Sequence, residues 1–111
     1  MDCIFCGIIE GAIPSGKVYE DDCLVAFNDA APRAPVHVLI VPREHIQSAA
    51  ALTGSHAELL GRIWITLPKI AQKLGLDSFR VITNAGADAG QTVEHLHFHL
   101  LGGRTLDMNL G

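Results

Sequence analysis

The sequence predicts one α+β domain, with a mainly antiparallel sheet of about five strands, one long helix and a short N-terminal helical segment. Three observations predict it. Apolar, β-prone runs follow one another across short turns. A single segment of about twenty residues has the 3.6-residue apolar period of a helix. Nowhere do strands and helices alternate regularly, so a parallel βαβ architecture is not expected. With 111 residues, the chain is expected to form a single domain over 1–111, burying roughly two-thirds of its unfolded surface.

Residues 4–10 can make a short helical turn, which Gly11 and Pro14 end. The runs KVYEDD and CLVAFND, over 17–29, read as two strands around the turn formers Asp21 and Asp22. AAPRAP carries Pro32 and Pro35 and must be a loop. VHVLIVP over 36–42 is an apolar strand interrupted only by His37. Ser55 is an expected helix N-cap, with Glu58 three residues on completing a capping box. From there to Leu74 the apolar residues keep helical spacing, and Pro68 within the run should kink or split the helix. Gly75 ends it. FRVITN over 79–84 is a further strand, followed by the glycine-rich AGADAG loop. The last strand carries His95, His97 and His99 at every second position, so all three imidazoles are expected on one face, opposite Leu96, Phe98 and Leu100.

Composition excludes several classes of function. Hydrophobic residues make up 49% of the chain and the net charge is −4, with no basic run, which argues against nucleic-acid binding. No apolar stretch reaches membrane-spanning length, and the first residues have no secretory leader pattern. Three cysteines do not suggest a disulfide framework, so the expected location is the reducing cytoplasm.

Three histidines in register suggest a site that handles protons, metal or nucleophilic attack near neutral pH. A three-histidine metal centre is awkward, because alternate side chains on one strand stand ~6.5–7 Å apart and the outer pair ~13 Å. A division of labour suits the spacing better: one histidine attacks phosphorus while its neighbours manage charge and protons. The upstream NAGADAGQT loop favours a phosphate, with close-approaching backbone amides and Asn84, Gln91 and Thr92 as neutral donors. Alone that loop could be an ordinary hairpin connection. His37 could be a hydrogen-bonded core histidine, and Asp29 could either cap a loop or accept from a ribose. Cys3 and Cys6 have the spacing of half a zinc site, with His45, His56 or one histidine of the triad available to complete it. His56, in a first helical turn, is expected to be exposed, and Cys23 to be buried.

HLHFHLL over 95–101 has the histidine-φ-histidine-φ-histidine-φ-φ pattern, with φ apolar, of the histidine triad (HIT) family. The resemblance runs along essentially the whole chain. CIFCGIIEGAIPSGKVYEDD, AFNDAAPRAPVHVLIVPREHI and NAGADAGQTVEHLHFHLLGGR resemble the Hint branch of small nucleotide-binding members.

The resemblance implies a HIT-like fold that pairs into a homodimer through the long helix and neighbouring strands. It implies hydrolysis of nucleoside 5′-phosphoramidates, purine ones above all, through a nucleotidyl intermediate on His97. His99 and His37 would orient the phosphate and protonate the leaving group, with no catalytic metal required. Asn84, Gly90, Gln91 and Thr92 match the phosphate loop. Ile4, Phe5, Ile8, Phe27 and Leu39 match the nucleoside pocket, with Asp29 on the ribose. In zinc-bearing relatives the corresponding ligands would be Cys3, Cys6, His45 and His95, giving one structural zinc per chain. Two departures bear on the substrate. Thr92 stands where the Hint branch often has Ser, as in Fhit-like dinucleoside polyphosphate hydrolases, and the RTLDMNLG terminus lacks the Trp-Pro-Pro ending of animal Hint proteins. A dinucleoside polyphosphate hydrolase and a non-catalytic nucleotide-binding scaffold are the alternative readings.

Overall fold

The computed structural model describes residues 3–109. Helix α1 (Ile4–Ile9) is followed by strands β1 (Lys17–Glu20), β2 (Leu24–Asn28) and β3 (Val36–Pro42). Helix α2 (Ala57–Lys73), strand β4 (Phe79–Ile82) and strand β5 (Phe98–Gly102) complete the chain. All neighbouring strands are antiparallel, in the order β1-β2-β3-β5-β4. The α+β expectation therefore holds, with five strands and one long helix.

The β1–β2 turn is made by Asp21, whose Oδ1 accepts the N–H groups of Cys23 (2.7 Å) and Leu24 (2.8 Å). This is the local side-chain bonding that makes Asp a turn former. Cys23 beside it is only partly buried.

The period-2 alternation of the strands sorts side chains into two cores. Leu24, Val38, Ile40, Leu96, Phe98 and Leu100 pack with Ile63, Leu67 and Ile70 of α2 on one face. On the other face Val25, Phe27, Leu39 and Val41 meet Phe5 and Ile8 of α1. Because α1 is short, it covers only part of that second face.

Three local expectations are corrected. Helix α2 is led in by a 3-10 turn, Gly54–His56, and the box is made by Thr53 and His56 rather than Ser55 and Glu58. The Thr53 N–H donates to His56 Nδ1 at 2.9 Å, and His56 Nε2 reaches Glu44 at 3.4 Å, so this histidine is half-buried. Pro68 does not split α2, which runs continuously through it. It lies on the exposed side, where the Trp64 carbonyl that loses its intrahelical donor can be hydrated. Finally, β5 begins only at Phe98, so His95 and His97 precede the ladder. The His95 N–H donates to the Val93 carbonyl (2.9 Å) and the Leu96 N–H to that of Ile46 (2.6 Å), which takes this lead-in out of the regular pairing. The alternation nevertheless survives it. Leu96 and Phe98 still enter the α2 core, and the three histidine rings lie away from it.

Candidate active site

His99 pairs with Leu39 across the β3–β5 ladder, and His37 with Leu101. That register brings two rings 62 residues apart in sequence into contact, with centroids 5.2 Å apart. His97 follows along the lead-in, its ring centroid 5.1 Å from that of His99. The three rings line a cavity of about 720 Å³, with Asp29, Asn84, Gly90 and Thr92 also in its wall.

Hydrogen bonds determine where each ring carries its proton. The Arg33 N–H donates to His37 Nδ1 (3.0 Å), so neutral His37 must be protonated on Nε2. That N–H donates to His99 Nδ1 at 2.9 Å, with Asp29 Oδ2 3.4 Å away. Neutral His99 is thereby protonated on its remaining nitrogen, Nε2. Burial pushes His37 below the usual histidine range, against the opposing pull of Asp29. Burial, with the neighbouring His97 and His37, takes His99 down to about 4. Both rings are neutral at pH 7.

His97 has the opposite tautomer. Its Nδ1–H donates to the His95 carbonyl at 2.7 Å, leaving Nε2 as an unprotonated lone pair on the cavity side. Thr83 contributes a contact that the sequence does not announce: its hydroxyl donates to the His97 carbonyl at 2.7 Å. Phe5 meets His97 edge-on at 5.1 Å, and Phe27 at 5.5 Å.

The loop after β4 departs from its expected role. The N–H groups of Ala89, Gly90 and Gln91 donate to carbonyls within the loop, and that of Gly86 to Gln91 Oε1. Four of its amides are therefore not free to meet a phosphate. Gln91 does not line the cavity, and its Nε2 donates to the carbonyls of Gln47 (2.8 Å) and Val93 (3.0 Å). It braces the loop. Gly90 adopts a left-handed conformation (φ 94°) that a side chain would strain. Asn84 donates to the Ala89 carbonyl at 2.8 Å from the cavity wall.

Phe5, Ile8, Phe27 and Leu39 form the α1-side core, while Ile4 is exposed at the surface of α1. Asp29 does both things its position allowed: Oδ1 accepts the Ala31 N–H (2.8 Å), capping the loop, and Oδ2 faces His37.

A second cluster lies behind the first. Cys3, Cys6, His45 and His95 offer ligand atoms all within 4.8 Å of one another. His95 Nδ1 is 3.4 Å from Cys3 Sγ, 3.6 Å from Cys6 Sγ and 3.1 Å from His45 Nδ1. Its Nε2–H donates to the Pro42 carbonyl (2.9 Å), so Nδ1 is the free donor atom. Two sulfurs and two imidazole nitrogens form a donor set that suits zinc. Without a cation, burial and the nearby Cys3 push the Cys6 thiol up to about 11.

An antiparallel five-stranded sheet with one long helix, and two histidines of a triad meeting a fourth, His37, in the lining of one cavity, define the HIT class of α+β proteins. The HIT domain family model matches residues 10–106, and the chain belongs to that family. It is a hydrolase of the family. It is 44% identical to the purine nucleoside phosphoramidase of Escherichia coli, over 93% of this chain and 88% of that protein. Two solved structures share the fold. A histidine triad protein from Clostridium difficile has a TM-score of 0.95 and 47% identity, covering 99% of this chain and 97% of that one. A HIT family hydrolase from Clostridium thermocellum has a TM-score of 0.91 and 46% identity, covering 99% and 96%. The contacts of Thr83, of the Arg33 amide and of the closed loop amides have no signature in the residue types. Each depends on backbone placement, for which no residue type is diagnostic.

Proposed function

We propose that the protein hydrolyses the P–N bond of nucleoside 5′-phosphoramidates, with purine nucleotides of the AMP type as its substrates. The observation that carries this reading is the tautomer pattern: one histidine with a free lone pair beside a second with a free N–H. His97 Nε2 attacks the α-phosphorus and the P–N bond to the leaving amine breaks. The departing nitrogen takes the proton from His99 Nε2, and His37 stabilises the changed His99 through the bond to Nδ1. Water then attacks the phosphorus, its proton returns to His99, and the P–N bond to His97 breaks to release the nucleoside monophosphate. Division into two displacements lowers the barrier of each. Asn84 and Thr92 would hold the phosphate oxygens and Asp29 would receive the ribose; all three line the cavity with the histidines. The core around Phe5, Ile8, Phe27 and Leu39 supports the nucleoside end.

Cys3, Cys6, His45 and His95 would hold one zinc ion, which would supply a closed structural cross-link between the N-terminus, the segment after β3 and the lead-in to β5. The free state of Cys3, Cys6 and Cys23 supports a cytoplasmic location. A homodimer is supported by an uncovered apolar surface. Trp64 and Ile65 of α2 are 53% and 65% exposed, and β4, with exposed Phe79, is an edge strand. No helix among the described residues is long and apolar enough to cross a membrane.

Steady-state comparison of an adenosine 5′-phosphoramidate with diadenosine polyphosphates tests the reading. The phosphoramidate should have the higher kcat/KM, and rapid acid quench should trap a nucleotidyl-protein. Faster cleavage of the polyphosphates would replace this reading with the dinucleoside one.

A further inference from the structure

The five arginines of the chain divide into two kinds. Arg43 and Arg62 face carboxylates: Arg43 is 3.8 Å from Glu20, and Arg62 is 3.0 Å from Asp22 and 3.4 Å from Asp21. Arg33, Arg80 and Arg104 instead line the cavity that holds the histidines. Among the described residues none of these three has a carboxylate within salt-bridge distance. Their hydrogen bonds go to neutral acceptors. Arg80 Nη2 donates to the Asp107 carbonyl (2.7 Å), and Arg104 donates to the carbonyls of Thr105 (3.0 Å) and Arg33 (3.1 Å). Such bonds aim a guanidinium without neutralising it. Two acidic side chains share the lining: Asp29, beside His37, and Asp107, whose Oδ1 accepts the Asn109 N–H. A chain of net charge −4 thus gathers three arginines round one cavity, one more cation than the two carboxylates in its lining, and pairs none of them at salt-bridge distance. Their mutual repulsion is relieved when an anion enters.

Resting on the phosphoramidase reading, we infer that the arginine rim receives an anionic leaving group, one that bears a carboxylate or phosphate beyond the scissile bond. Asp29 follows β2 and Arg80 lies on β4, on opposite sides of the histidine-bearing β3 and β5, so with the ribose proposed at Asp29 the leaving group would depart on the side of Arg80. The P–N bond breaks as before and the nitrogen takes its proton from His99. The departing amine keeps its own negative charge, which the rim binds.

The test uses three adenosine 5′-phosphoramidates with leaving amines of equal length, ending in a carboxylate, a primary amide or an ammonium. Diadenosine tetraphosphate is the fourth substrate. In low salt, kcat/KM for the carboxylate should exceed that for the ammonium by about tenfold or more, with the amide between them. Raising the salt to about 0.5 M should shrink that ratio. In Arg80→Gln, and further in Arg80→Gln/Arg104→Gln, the ratio should approach one, with folding checked by circular dichroism. Turnover of the tetraphosphate should stay below that of the carboxylate substrate; turnover above it would overturn the phosphoramidase reading and, with it, this inference. Equal rates for the three phosphoramidates, an ammonium preference, or a ratio unmoved in Arg80→Gln would overturn the inference while leaving the hydrolase reading in place. No turnover of any of the four by the folded protein would remove both.

Discussion

His37 Nε2 donates to His99 Nδ1 at 2.9 Å, across a ladder that joins residues 62 apart in sequence. The Arg33 amide behind His37 makes this bond directional. The triad's last histidine thereby presents a free N–H and its middle histidine a free lone pair, the pattern on which the proposed reaction rests, although the two rings are chemically identical.

His97 and His95 should fail differently when replaced. His97→Ala removes the attacking nitrogen and should lower turnover by about four orders of magnitude, with fold, metal content and nucleotide affinity retained. No nucleotidyl-protein should be trappable from it. His95→Ala instead opens the proposed zinc site, and a structural zinc can contribute on the order of 10 kcal/mol to a small domain. Its melting temperature should fall markedly. Loss of metal from both variants would favour a shared metal centre over separate tasks.

Zinc itself can be counted. Protein purified without added metal should contain close to one equivalent by elemental analysis, and removal by a chelator should lower the melting temperature. A metal-free protein that is equally stable and active would sink the structural-zinc proposal.

His99 makes stability depend on pH. Its folded-state value of about 4 lies below the ordinary 6.5, so between these values the unfolded chain binds the extra proton. Stability from this group is complete above about pH 6.5 and falls as pH drops towards 4, by about 2–3 kcal/mol at most after discounting solvent screening. Thermal melts of wild type and His99→Asn from pH 7 to 4.5 should differ in slope, the wild type losing stability faster. Parallel curves would show that His99 does not titrate as its surroundings imply.

Thr83 donates to the His97 carbonyl at 2.7 Å, and the proposed reaction makes it a positioning residue. Thr83→Val should cost about 1 kcal/mol of stability and lower kcat about tenfold with little change in KM. Thr83→Ser should restore kcat. A rise in KM at constant kcat would point to substrate contact instead.

Trp64 packs edge-on to Phe98 at 5.9 Å yet remains half exposed. Light scattering at micromolar concentration should give the mass of a dimer, and Trp64→Lys/Ile65→Glu should give a monomer. A monomeric wild type would leave that surface without its proposed partner.

Much of this protein was legible in its residues because two periodicities carry it. The apolar period of α2 and the alternation of β2, β3 and β5 follow from local geometry, and they place Leu96, Phe98 and Leu100 opposite the histidines whatever the details of pairing. The half-site of Cys3 and Cys6 was likewise legible, since ligand spacing is local. Local chemistry did not decide which hydrogen bonds would compete. Thr53 and Ser55 are both capable caps, and the choice fell to Thr53 because His56 completes its box. The strand containing His95 and His97 gives way to a turn because their N–H and C=O groups are claimed by Val93, His97 and Thr83. The loop after β4 closes on its own amides for the same reason. The sequence by itself determined which face carries the histidines and which chemistry they can perform. Only the tertiary structure decided which nitrogen of each ring holds the proton, because that depends on single backbone donors and acceptors: Arg33 and His95, set by the path of the chain just before each ring, and Pro42, brought across from β3.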